Sequence, residues 1–177
     1  MGLEITFAGW IAAYGVLTGL PVSQAALLVT LFWLALSAGR LLAIPLLRRY
    51  TPWHLLCGCL AVGLIAATGL YLSWLPLSLG ALLFGLAASA IFPTLYALGN
   101  QTMRMRGRTT GAIFIAAGSG ALIVPSLTGP LLDALGAQAF PLLLASLWLL
   151  IGAGLALLAL RLRHLSAPTT IDPSGIR

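Results

Sequence analysis

Gly2-Leu3-Glu4-Ile5-Thr6-Phe7-Ala8-Gly9-Trp10-Ile11-Ala12-Ala13-Tyr14 is an apolar run holding a single acid. Whether that acid lies inside a membrane decides the reading of the whole chain. An ionisable group in a membrane segment costs several kcal/mol unless it has a partner or water, so Glu4 is a functional candidate by default. The alternative is a wet carboxylate near the membrane interface.

The surroundings favour the membrane. Of the 177 residues, 60% are hydrophobic and 7% charged, and the mean hydropathy is +1.08, against roughly half apolar and a quarter charged in soluble domains. At about 20 apolar residues per span the chain holds several helices and no soluble domain. The charge of +6 comes from nine arginines, with no lysine, against Glu4, Asp133 and Asp172. They stand in short groups between apolar runs, which argues for loops facing the cytoplasm and against a nucleic-acid partner. No basic leader precedes the first run, so it reads as a mature span rather than a signal peptide.

Turn signals cut six spans: residues 3–20, 24–47, 53–74, 77–98, 111–132 and 139–160. Pro21 ends the first, and Ser23 is positioned to cap the second. Residues 166–177, rich in Pro, Thr and Ser, read as a disordered cytoplasmic tail. Alternating the spans puts Arg48, Arg49, Arg104, Arg106, Arg108, Arg161, Arg163 and Arg177 on one side, with Asp133 and no arginine on the other. The positive-inside rule then makes both termini cytoplasmic, in a plasma (inner) membrane.

The spans differ in character. The third and sixth are nearly featureless, with aromatics mostly at their ends, and read as peripheral. The second carries Thr30, Trp33, Ser37 and Arg40 within about 80° on one face. The fourth carries Gly85, Ser89, Phe92 and Tyr96 in the same pattern, beside Pro93. The fifth is rich in small residues suited to close helix approach, among them Gly111, Gly118, Gly120 and Gly129. Pro93 and Pro125 each free a mid-span carbonyl, which needs a partner from a neighbouring helix or a cavity.

Nothing has the form of a catalytic site. There is no nucleophile elbow and no phosphate loop, and an enzyme, a metal or a cofactor is not expected. Cys57 and Cys59 point about 200° apart on a helix and read as small apolar fillers beside His54. What remains is a polar and aromatic lining: Trp10, Tyr14, Trp33, Ser89, Phe92 and Tyr96, suited to a small solute in a dry surrounding or simply to helix packing. Trp10 falls near the midplane, about 15 Å from the outer end of its helix, and Glu4 in the inner third. Glu4 points about 120° away from Trp10, so the two share a wall only if the helix is broken near Gly9. Arg40 lies about 12 Å inside its helix and either snorkels or pairs with an acid or a helix C-terminus.

These residues resemble the C-terminal half, helices 7 to 12, of a major facilitator superfamily transporter. Glu4 to Tyr14 is similar to helix 7 of the sodium-dependent glucose transporter and fucose permease-like branch. Phe32-Trp33 with Gly39-Arg40-Leu41-Leu42-Ala43-Ile44-Pro45-Leu46 is similar to its helix 8, Phe92-Pro93-Thr94-Leu95 to helix 10, and Gly118 to Asp133 to helix 11. The resemblance implies an all-α membrane protein of six transmembrane helices, half of a fold built from 3+3 inverted repeats. Helices 7 and 10 would line the cavity, with 9 and 12 outside. It also implies a secondary transporter moving a sugar or similar small polar solute by alternating access. Glu4 and Arg40 would then couple or gate, H+ or Na+ would be the coupling ion, and an absent N-terminal six-helix half would be the partner. Two departures stand out: Leu47 replaces the acid many members carry before the basic pair, and helix 7 would extend upstream of Glu4. A stand-alone six-helix protein, either a homodimeric transporter or a scaffold, is the alternative.

Overall fold

The computed structural model describes residues 1–102 and 107–165, and among them all regular structure is helical. The helices are α1 (Gly2–Leu17), α2 (Val22–Arg49), α3 (Pro52–Tyr71), α4 (Leu77–Ser89), α5 (Ile91–Thr102), α6 (Gly107–Leu135) and α7 (Ala139–Leu165). With α4 and α5 taken as one interrupted span, five spans are long and apolar enough to cross a membrane; α1, at 16 residues, is shorter. The architecture is the all-α membrane fold expected, with six apolar spans when the shorter α1 is counted.

The boundaries follow from local chemistry. After α1 the chain turns at Gly19, whose φ of +97° suits a residue without Cβ, while Leu20 N–H donates to the Gly15 carbonyl at 2.9 Å. Ser23 does not cap α2. The helix already starts at Val22, with Pro21 as its N-cap at ψ 145° and no side-chain cap bond, so Ser23 lies inside the first turn. Pro52 opens α3 from inside its first turn, where its missing N–H would have no helical partner and its fixed φ suits the helix.

The fourth span, expected over 77–98 with a carbonyl freed by Pro93, runs from Leu77 to Gln101 with one interruption. It breaks at Ala90, since Pro93 has no N–H for the Ser89 carbonyl and its ring crowds that group. Thr94 N–H then donates to Ala90 O at 3.0 Å and the helix resumes as α5. In contrast, α6 runs unbroken through Pro125 and Pro130. Arg104, Arg106 and residues 166–177 lie outside the described residues, as do the side chains of Arg163 and His164.

An aromatic column holds four helices together. Phe7 of α1 stacks on Phe84 of α4 at 4.0 Å between centroids and meets Phe32 of α2 at 4.9 Å and Phe140 of α7 at 6.0 Å. Trp148 of α7 meets Phe84 edge-on at 5.7 Å. All five side chains are fully buried. Trp148 is therefore core, unlike the aromatics at the span ends, and it reaches the core by lying over Gly63, where any Cβ would collide with the indole. Small residues do the same between α2 and α4: Gly85 faces the backbone at Phe32, and Gly39 makes room for Ser89.

In the fifth span the small residues divide. Gly120 lies against Gly2 and Gly129 against Trp10, whereas Gly111 and Gly118 face open space. Close approach through the latter two is not used within this chain. The third and sixth spans, α3 and α7, pack on each other, and α3 also on α4, while α1 sits between α2 and α6.

Candidate functional site

Glu4 is one of the few buried polar residues, its side chain 8% exposed. Arg40 of α2 donates from Nη2 to Glu4 Oε1 at 3.0 Å. Of the two fates open to Arg40, pairing with an acid is the one realised, although the guanidinium end stays 49% exposed. The pair is the ion pair found among the described residues, and it ties α1 to α2 where the carboxylate is shielded.

α1 is continuous through Gly9, so Glu4 and Trp10 do not share a wall by unwinding. They face different neighbours. Trp10 donates its Nε1–H to the Pro125 carbonyl of α6 at 3.0 Å, with its ring over Gly129. The carbonyl that Pro125 deprives of a helical donor belongs to Ala121, so Trp10 takes a different group from the one the proline frees.

The pair sets a common level on two antiparallel helices. Trp10 lies six residues beyond Glu4, about 9 Å, and Trp33 seven residues before Arg40, about 10 Å in the same direction. The two indoles therefore stand at one depth, on either side of the exposed Gly9 and Ala13 of α1. Trp33 is 40% exposed and edge-on to Phe32 at 5.3 Å. Thr30, Trp33, Ser37 and Arg40 are all exposed, as a single open seam requires.

Phe92 and Tyr96 belong to a second group. On α5 they meet Phe114 of α6 at 5.9 and 6.3 Å, with 6.5 Å between their own centroids. Phe114 and Pro125 are eleven residues apart on α6, about 16 Å. The aromatic lining thus stands at two depths, with the Glu4 and Arg40 pair between them. Because the span breaks at Ala90, Gly85 and Ser89 face α2, and the expected single seam with Phe92 and Tyr96 is split. Ser89 is buried, donates its hydroxyl to its own helix at Leu86 O (2.6 Å) and packs at Gly39. Tyr14 is 2% exposed and lies against Phe140 at 5.1 Å, inside the core. Cys59 is buried beside Ala43 and Ala90, and Cys57 is exposed.

Two participants were not picked out from sequence, the Pro125 carbonyl and Phe114. A signal existed for the second, since Phe114 is the one aromatic residue in α6.

The chain is similar to curated proteins across most of its length. It is 33% identical over 145 residues to major facilitator superfamily domain-containing protein 4A of Danio rerio. It is 32% identical over 144 residues to protein 4B of the same fish. It is 28% identical over 145 residues to the 4A protein of Homo sapiens. Each match covers 78% of this chain but only 27–28% of the relative, so the chain spans about a quarter of the length of the curated relatives it matches. No family model and no solved structure matches it. These similarities support membership of the major facilitator superfamily.

Proposed function

We propose that this chain is the C-terminal half of a secondary active transporter of the major facilitator superfamily. In this reading it moves a sugar or similar small polar solute by alternating access, together with an N-terminal six-helix half. The observation that carries the proposal is the shielded Glu4 carboxylate, held by Arg40 at 3.0 Å between two aromatic groups at different depths. An acid kept in an apolar span at the expense of stability is a functional candidate, and its partner Arg40 is the group that a coupling cation must displace.

The roles divide as follows. Trp10 and Trp33 contact solute near the midplane, where transporter sites usually lie. The Trp10 N–H is engaged by Pro125, so Trp10 offers its ring face, which suits the C–H face of a sugar. Phe92 and Tyr96, with Phe114, form a second contact nearer the arginine-bearing end. Tyr14 and Ser89 support these walls from behind. H+ or Na+ competes with Arg40 for Glu4, and release of Arg40 frees α2 from α1 during the change of access. The termini and the arginine-bearing end face the cytoplasm of the plasma (inner) membrane. The superfamily relatives favour this reading over a stand-alone scaffold.

The test is uptake of a panel of radiolabelled hexoses and polyols by cells making the full-length protein. Glu4→Gln and Trp10→Ala should each reduce uptake at least tenfold at equal surface abundance. Unchanged uptake in both variants would sink the site assignment, and no uptake of any sugar by the unmodified protein would sink the substrate class.

A further inference from the structure

We propose that the groove between α2 and α3 holds one acyl chain of an anionic phospholipid, with its phosphate on Arg48 and Arg49. The groove is a cavity of about 530 Å³. Gly39, Leu42, Ala43 and Leu46 form its α2 wall, and Leu55, Gly58, Cys59 and Val62 its α3 wall. Its floor is α4, from Leu83 to Ala90. It exists because the fourth span breaks at Ala90: α4 packs on both α2 and α3, whereas α5 continues against α3 and leaves α2. Below the break the two long helices are left without a filler between them.

Its length matches half a bilayer. From Gly39 to Tyr50 is eleven residues, about 16 Å, close to half of the roughly 30 Å hydrocarbon core. The walls are almost wholly apolar, and a slot of that depth in a membrane protein takes a hydrocarbon chain rather than water.

The mouth supplies the selectivity. Leu46 and Tyr50 also border an open depression at the end of α2, whose other sides are Pro45, Arg48 and Arg49. Both arginines are exposed at the end of α2, and among the described residues neither has an acidic partner. The described acids lie elsewhere, Glu4 on Arg40 and Asp133 at the opposite end of α6. Tyr50 and His54 stand at the same mouth, with His54 Nδ1 2.6 Å from Thr51 Oγ1. Two unpaired guanidiniums at the end of an acyl-length slot fit a phosphodiester bearing no compensating positive charge.

The test uses the full-length protein, delipidated in a neutral detergent, and native mass spectrometry with dioleoyl phosphatidylglycerol or dioleoyl phosphatidylcholine. The two lipids share their chains and differ in headgroup charge. The phosphatidylglycerol adduct should form at least tenfold more readily. Arg48→Gln with Arg49→Gln should bring it down to the phosphatidylcholine level. Gly58→Leu, which extends into space that is open around Gly58, should reduce both adducts. Glycerol 3-phosphate, a headgroup without chains, should not compete at equal concentration. Equal binding of the two lipids, or a preference that survives the double glutamine variant, overturns the headgroup assignment. Undiminished phosphatidylglycerol binding by Gly58→Leu overturns the groove, and competition by glycerol 3-phosphate means a free phosphate site instead. Melting curves without lipid identify a variant that fails to fold, and in that case Arg48→Gln and Arg49→Gln are read singly, each expected to lose part of the preference.

Discussion

Glu4 and Arg40 form one contact but are not equivalent partners. Removing Arg40 leaves a carboxylate that is 8% exposed and has no other ion-pair partner, whereas removing the Glu4 charge leaves a guanidinium that is 49% exposed and on a long stem. An unpaired buried charge is the costly product, and a half-exposed arginine can turn toward the interface. Arg40→Gln should therefore lower the melting temperature in detergent clearly more than Glu4→Gln, and Arg40→Gln with Glu4→Gln should recover most of that loss. Equal losses from the two single variants would mean that Glu4 is already solvated. The sequence left Arg40 open between snorkelling and pairing because an arginine eight residues inside a helix can reach in either direction; only the packing of α1 on α2 decides which.

At the level of helices, the glycines make the sharpest contrast. Gly63 has the Trp148 indole where its Cβ would be, and Gly154 of α7 has open space. Gly63→Ala should destabilise the protein by about 1–3 kcal/mol through overpacking. Gly154→Ala should stabilise it by up to about 1 kcal/mol, since alanine is the better helix former. Combining Gly63→Ala with Trp148→Phe should cost less than the sum of the two, a coupling readable from equilibrium unfolding of the three variants. That Gly63 and Trp148 meet could not be read from the sequence, because α3 and α7 are apolar on every side and present no polar face to say which side is inward. The spans themselves were legible, since Pro21, Pro52 and Pro76 punctuate continuous apolar runs. Pro93 marked a disturbance in the fourth span without distinguishing a kink from the break at Ala90. For the same reason Ser89 and Phe92, three residues apart, read as one seam although the break directs them to different neighbours.

Across the whole molecule, the distribution of charge predicts a direction in the membrane. Among the described residues Arg48 and Arg49 close α2, Arg108 opens α6 and Arg161 lies near the end of α7, and alternation of the spans brings these to one end. Asp133 lies near the other end of α6, beside the turn at Gly136. Arginine flanks are retained on the cytoplasmic side during insertion, and with four here against none opposite the orientation has no competing signal. In a background of Cys57→Ser and Cys59→Ala, a single cysteine introduced as Trp74→Cys, at the exposed turn after α3, should react with a membrane-impermeant maleimide on intact cells. Gln101→Cys, exposed near the end of α5, should react only after permeabilisation. The reverse labelling pattern would place the arginine-bearing end outside. It would also move the lipid groove to the outer leaflet and turn Glu4, which lies nearer that end than Trp10 does, toward the outer mouth of the pathway, so the same two cysteines test the direction in which the proposed coupling ion meets its carboxylate.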